Sequence, residues 1–72
     1  MSEVHEPKPL EVLPNKGNLK VGTYPGLLSG STIKSMYEGF EYILQLEKIA
    51  VKGINILCRI EVTQEEIAVY LS

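Results

Sequence analysis

Between Thr32 and Lys52 apolar residues return every three or four positions, at Ile33, Met36, Tyr37, Phe40, Ile43, Leu44 and Val51. Such spacing lines one face of an α-helix, and it predicts a long helix over residues 32–52. Ser31 or Thr32 can cap its start, and Ser35 with Glu38 repeats a capping-box pattern one turn later. Gly53 suits the stop, with Lys48 and Lys52 in the last turns favourable to the helix dipole. Gly39 is the weak point, since glycine inside a helix costs ~1 kcal/mol relative to alanine.

The flanking segments carry a different period. Ile54, Ile56, Cys58, Ile60 and Val62 alternate with Asn55, Leu57, Arg59 and Glu61, the signature of a strand. Leu19, Val21 and Thr23 alternate in the same way. Upstream, Leu10 to Leu13 is closed by the turn signal Pro14-Asn15-Lys16-Gly17, so the two segments suggest a β-hairpin that Pro25 ends. The last segment reads two ways. Thr63 to Glu66 forms a capping box and Val62 with Ile67 a hydrophobic staple, which favour a short helix. Ile67, Val69 and Leu71 alternate, which tips the balance narrowly to a closing strand.

The fold expected is therefore α+β. A small, mainly antiparallel sheet, made of an N-terminal hairpin plus a C-terminal strand or hairpin, packs on one long helix. Residues 10–72 form a single α+β domain, with Leu19, Val21, Phe40, Ile56, Cys58 and Ile60 in its core. Residues 1–9, MSEVHEPKP, lack periodicity and read as a disordered or loosely attached arm.

The helix so defined has too much apolar surface. Tyr42, Leu46 and Ile49 fall on its far side, leaving only roughly a quarter of the circumference polar. Either the chain's own arm or final segment covers them, or they form the interface of a homo-oligomer, a common recourse of small scaffolds, or a binding groove for another protein.

Length and charge narrow the function classes. Seventy-two residues allow one domain. Seven Lys and Arg against nine Asp and Glu leave a formal charge of −2, with the basic residues scattered, so neither nucleic-acid binding nor DNA mimicry is expected. The apolar runs are too short for a membrane span or signal peptide, and a cytoplasmic location is expected. A lone cysteine permits no internal disulfide, and the ligands for a zinc site are missing. No metal or cofactor is expected.

Few residues could carry chemistry. His5 lies in the arm, away from any fixed geometry a general base requires. Cys58 sits mid-strand on the core side, where a thiol behaves as a small hydrophobe. Glu61, Glu65 and Glu66 read as solvated turn charges. Tyrosines often anchor partners, and Tyr24 beside Pro25 is the one expected to be exposed. The stretch Gly26 to Lys34 is the most suggestive, with glycines, hydroxyls and a lysine opening a helix whose free N–H groups favour an anion. Gly30, Ser31, Thr32 and Lys34 are its candidate ligand-binding residues, although the Walker A spacing is not met.

Three functions remain, none of them enzymatic. The leading one is a small binding protein that attaches to another protein and modulates or inhibits it, as a homo-oligomer working through the Tyr42, Leu46 and Ile49 stripe or an edge strand. A regulator or a viral inhibitor would suit such a chain. The alternatives are an oligomeric binder of a small anionic ligand, such as a nucleotide, through the Gly26–Lys34 loop, and a structural subunit of a larger assembly.

Overall fold

A computed structural model describes residues 8–17 and 19–72. It contains six strands: β1 Glu11–Pro14, β2 Gly22–Ser29, β3 Thr32–Tyr37, β4 Phe40–Gln45, β5 Ile56–Val62 and β6 Glu66–Leu71. They form one antiparallel sheet in the order β1-β6-β5-β2-β3-β4, curled into a half-barrel. No helix occurs among the described residues, so the fold is all-β and not α+β. The expected arm falls largely on residues 1–7, which with His5 lie outside the described residues.

The expected helix over residues 32–52 is instead a β-hairpin followed by an irregular segment. Glu38 and Gly39 both take positive φ, 52° and 81°, between the paired residues Tyr37 and Phe40. Positive φ at both central positions is the mark of a type I′ turn, whose twist matches that of the strands it joins. Gly39 is thus a turn residue and not a costly helix glycine. Another two-residue turn, Gly30-Ser31, joins β2 to β3 with positive φ at Gly30, the pattern of a type II′ turn. The presumed loop over residues 26–31 is therefore mostly the second half of β2.

The expected N-terminal hairpin is also replaced. β1 pairs with β6, at Glu11↔Val69 and Leu13↔Ile67, while β2 pairs with β5 and β3. Asn15 holds the diverging link, its side-chain amide donating to the Leu19 carbonyl at 3.1 Å and the Thr63 carbonyl at 2.8 Å. Pro25 does not end β2. The β2–β3 ladder stops at Leu27↔Lys34, and the Ser35 hydroxyl donates to the Pro25 carbonyl at 2.5 Å beyond that point. The final segment is the strand β6. Its capping-box residue Thr63 still accepts a bond from the Glu66 N–H, at 3.0 Å, but within the turn between β5 and β6.

The concave face of the half-barrel holds the core: Leu13, Leu19, Tyr24, Leu28, Ile33, Leu46, Cys58, Ile60, Val62, Ile67 and Val69. Of the expected core members, Leu19, Cys58 and Ile60 are buried and Ile56 is half-buried, whereas Val21 and Phe40 are exposed. Val21 precedes β2, and Phe40 flanks the turn at one end of the hairpin. Tyr24, expected outside, is 2% exposed. Its ring packs 4.4 Å from Tyr37 and edge-on to Tyr42 at 6.0 Å, and its hydroxyl donates to the Lys20 carbonyl.

A carboxylate ties the two ends of the curled sheet together. Glu11, at core parity on edge strand β1, accepts bonds from the backbone N–H groups of Glu47, Lys48 and Ile49, at 2.7, 2.9 and 3.1 Å. Those residues follow β4, the opposite edge strand. Burial opposes ionisation of this carboxyl, but the three N–H donors and the Lys48 charge outweigh it and hold its pKa below the ordinary value.

Candidate functional site

The single curled sheet has one face for its core and one face that no described element covers. The alternation of each strand sends Pro25, Leu27, Lys34, Met36, Glu41, Ile43, Leu57 and Arg59 to that outer face. Cross-strand register sets four of them in one row, Leu57–Leu27–Lys34–Ile43. Tyr70, Arg59 and Pro25 form a row beside it, and Met36 faces Glu41 at its far end. Leu57 is 65% exposed, and Met36 and Ile43 are each 60% exposed. Pro25, Leu27, Lys34, Met36, Glu41 and Leu57 are among the eight residues that line a shallow depression of about 380 Å³.

The charges border this apolar ground. Lys34 and Glu41 stand within the depression on neighbouring strands. On the other flank Arg59 Nε lies 2.8 Å from Glu61 Oε2, and the guanidinium sits 4.6 Å from the centre of the Tyr70 ring. An apolar patch with a polar rim is the usual make-up of a surface that meets another protein.

The expected interface residues are placed differently. Leu46 is buried, and Tyr42 and Ile49 are half-buried against the core of the same chain. The apolar excess that the helical period assigned to them lies in part on the outer face, at Met36 and Ile43. Leu57 belongs to the same surface, and its place among the solvent-side residues of an alternating strand was the signal for it.

The expected anion-binding residues do not converge. Their presumed helix start is a hairpin turn, so no row of helical N–H groups points outward there. Gly30 N–H donates to the Gly53 carbonyl, and the Ser31 and Thr32 hydroxyls bond the Gln45 side chain. Lys34 stands apart on the outer face. Among the described residues no three His, Cys, Asp or Glu side chains come together as metal ligands. No described helix is long and apolar enough to cross a membrane.

Cys58 is 4% exposed, and burial pushes its thiol pKa up. A protonated, covered thiol is a poor nucleophile. We expect a disulfide reagent to modify native protein about 100-fold or more slowly than unfolded protein. Complete reaction of the native form within the mixing time would show that the Cys58 environment opens readily.

Compared with protein-family models, curated proteins and solved structures, the chain matches none.

Proposed function

We propose that this chain is a non-enzymatic binding protein that docks another protein on the outer face of β5, β2, β3 and β4. The supporting observation is the exposed apolar row and depression built by Leu57, Leu27, Met36 and Pro25. The partner that fits presents apolar side chains to this ground, with a carboxylate toward Lys34 and a cation toward Glu41. Modulation of that partner follows from covering its surface. A lone unpaired thiol suits a reducing compartment such as the cytoplasm.

The test places a photo-crosslinking side chain at Leu57 in cells that make the protein, with Val21 as an exposed control outside the row. A discrete protein adduct at Leu57 and none at Val21 is expected. With the partner identified, Met36→Glu weakens binding about 30-fold or more without unfolding the chain. Equal adduct patterns at the two positions, or unchanged affinity in Met36→Glu, would overturn the proposal.

A further inference from the structure

The two edges of the sheet differ in how they are finished. An edge strand presents unpaired N–H and C=O groups, and proteins commonly blunt such an edge with proline, lysine or short length. β1 is blunted: it has four residues, and Pro14 lacks an N–H. Asn15 N–H bonds the Glu65 carbonyl, so Leu13 and Glu11 share that side, and Val12 is the one residue within β1 with an N–H toward the open side.

β4 carries none of these devices. It reads Phe-Glu-Tyr-Ile-Leu-Gln, without proline or lysine. The two-residue turn makes Tyr37↔Phe40 a hydrogen-bonded pair, so Phe40, Tyr42 and Leu44 direct their backbone groups to β3. The Leu46 N–H continues the series by donating to the Ser31 carbonyl at 2.7 Å. The N–H and C=O groups of Glu41, Ile43 and Gln45 therefore face the side on which no described strand pairs, and their side chains lie on the outer face.

This edge is complementary to itself. Run antiparallel against a second β4 about a two-fold axis at Ile43, every open residue meets an open residue. Ile43 then lies opposite the partner's Ile43, and Glu41 opposite the partner's Gln45. Glu41 is the one charged residue of the strand, so no like charges stand face to face. The Gln45 amide gives one N–H to Ser31 and keeps a second for the partner's Glu41. Sliding the register until Glu41 meets its own copy sets two carboxylates against each other and shortens the ladder.

We infer that the protein is an isologous dimer, formed by β4 pairing with β4 of a second copy through about six backbone hydrogen bonds. The sheet becomes continuous across the two-fold axis. Tyr42 and Leu44, half-buried on the concave side, gain cover from the partner's Leu44 and Tyr42. On the outer face the row Leu57–Leu27–Lys34–Ile43 runs on into its own repeat. The dimer deepens the binding proposal above by doubling that surface; it uses the sheet edge and shares only Glu41 with the docking depression.

Sedimentation at about 100 µM protein, where even an association of micromolar Kd is nearly complete, is expected to give twice 8.0 kDa. Ile43→Pro removes an N–H that no described backbone group of its own chain uses, so it leaves the β3–β4 ladder intact and yields a monomer. Ile43→Lys, a change at an exposed side chain, weakens association about 100-fold or more and covers the case in which the proline variant fails to fold. Under oxidation Ile43→Cys forms an intermolecular disulfide, because Cα atoms of a hydrogen-bonded antiparallel pair lie about 5.5 Å apart. Gln45→Cys, which faces the partner's Glu41, does not.

A wild-type chain that sediments at 8.0 kDa at this concentration would overturn the dimer. So would a dimer that persists in Ile43→Lys, or one that Leu57→Glu dissociates while the Ile43 variants leave it whole. A dimer intact in Leu57→Glu supports the β4 edge whether or not a docked protein is lost, which keeps this inference separate from the binding proposal.

Discussion

Glu11→Ala lowers the unfolding midpoint by about 10 °C or more, the largest effect we expect from any single substitution on the edge strand β1. Its carboxylate is the acceptor for three consecutive N–H groups, at Glu47, Lys48 and Ile49. Truncation orphans all three and releases the segment after β4 from β1. Glu11→Gln is little better, because the amide offers one acceptor oxygen and turns an NH₂ group toward donors. Formate or acetate, entering the vacated N–H nest of Glu11→Ala, restores part of the lost midpoint, whereas chloride at equal ionic strength does not.

The same contact makes stability depend on pH with a definite sign. The folded pKa of Glu11 lies below its unfolded value, so the folded state favours the ionised form. Its contribution is full above the ordinary glutamate value, near 4.5, and is lost as pH falls through that value toward the folded pKa. The midpoint difference between wild type and Glu11→Gln is therefore constant near neutrality and shrinks in acid. A difference that stays the same from about pH 3 to pH 7 would show that the carboxylate charge contributes nothing.

Gly26→Val destabilises by ~2–3 kcal/mol, about 10–20 °C in a domain of this size. Gly26 lies inside β2 with its α-carbon turned to the core. A β-carbon placed there meets Cys58 Sγ at 2.8 Å, Ile33 Cγ2 at 3.0 Å and Ile60 Cδ1 at 3.2 Å. All three belong to buried residues of the facing or adjoining strands, so none can retreat into solvent. Cys58→Ala removes the closest obstacle and should recover part of the loss in the double variant, the coupling expected of residues in contact. Thermal unfolding of the two single variants and the double measures it, and additive losses would place the strain elsewhere.

Sequence pattern alone served well where one strand face is core and the other polar. β5 reads this way at Cys58, Ile60 and Val62 against Arg59 and Glu61, and the buried thiol followed from it. It failed over residues 32–45 because both faces of β3 and β4 carry apolar side chains. Inward Ile33, Tyr37 and Leu44 mix with outward Met36 and Ile43, and the mixture imitates a period of three to four. The apolar excess of the supposed helix was the mark of that error, and Glu38-Gly39 was the local sign of a turn. Two-residue glycine turns between apolar runs favour hairpins over helices. The seam at Glu11 had only a faint local trace, a carboxylate at core parity next to Leu13, since its partners lie at least 36 residues along the chain. The exposed apolar ground of the outer face was partly visible in Leu57, an apolar residue on the solvent side of its strand.

The strand order has a consequence for how the chain comes off the ribosome. β1 is made first, yet its strand partner β6 is made last, with Glu11 beside Val69. The hairpins β2–β3–β4 can close within moments of synthesis, because their pairs are near neighbours. β1 must wait several seconds at ordinary elongation rates before β6 emerges to receive it. Until then Glu11 has its N–H partners after β4 but no strand beside it, and β5 shows a bare edge. Translation that stops short of residues 66–71 leaves the first-made strand with no place in the sheet, so stalled products of this chain expose unpaired β edges.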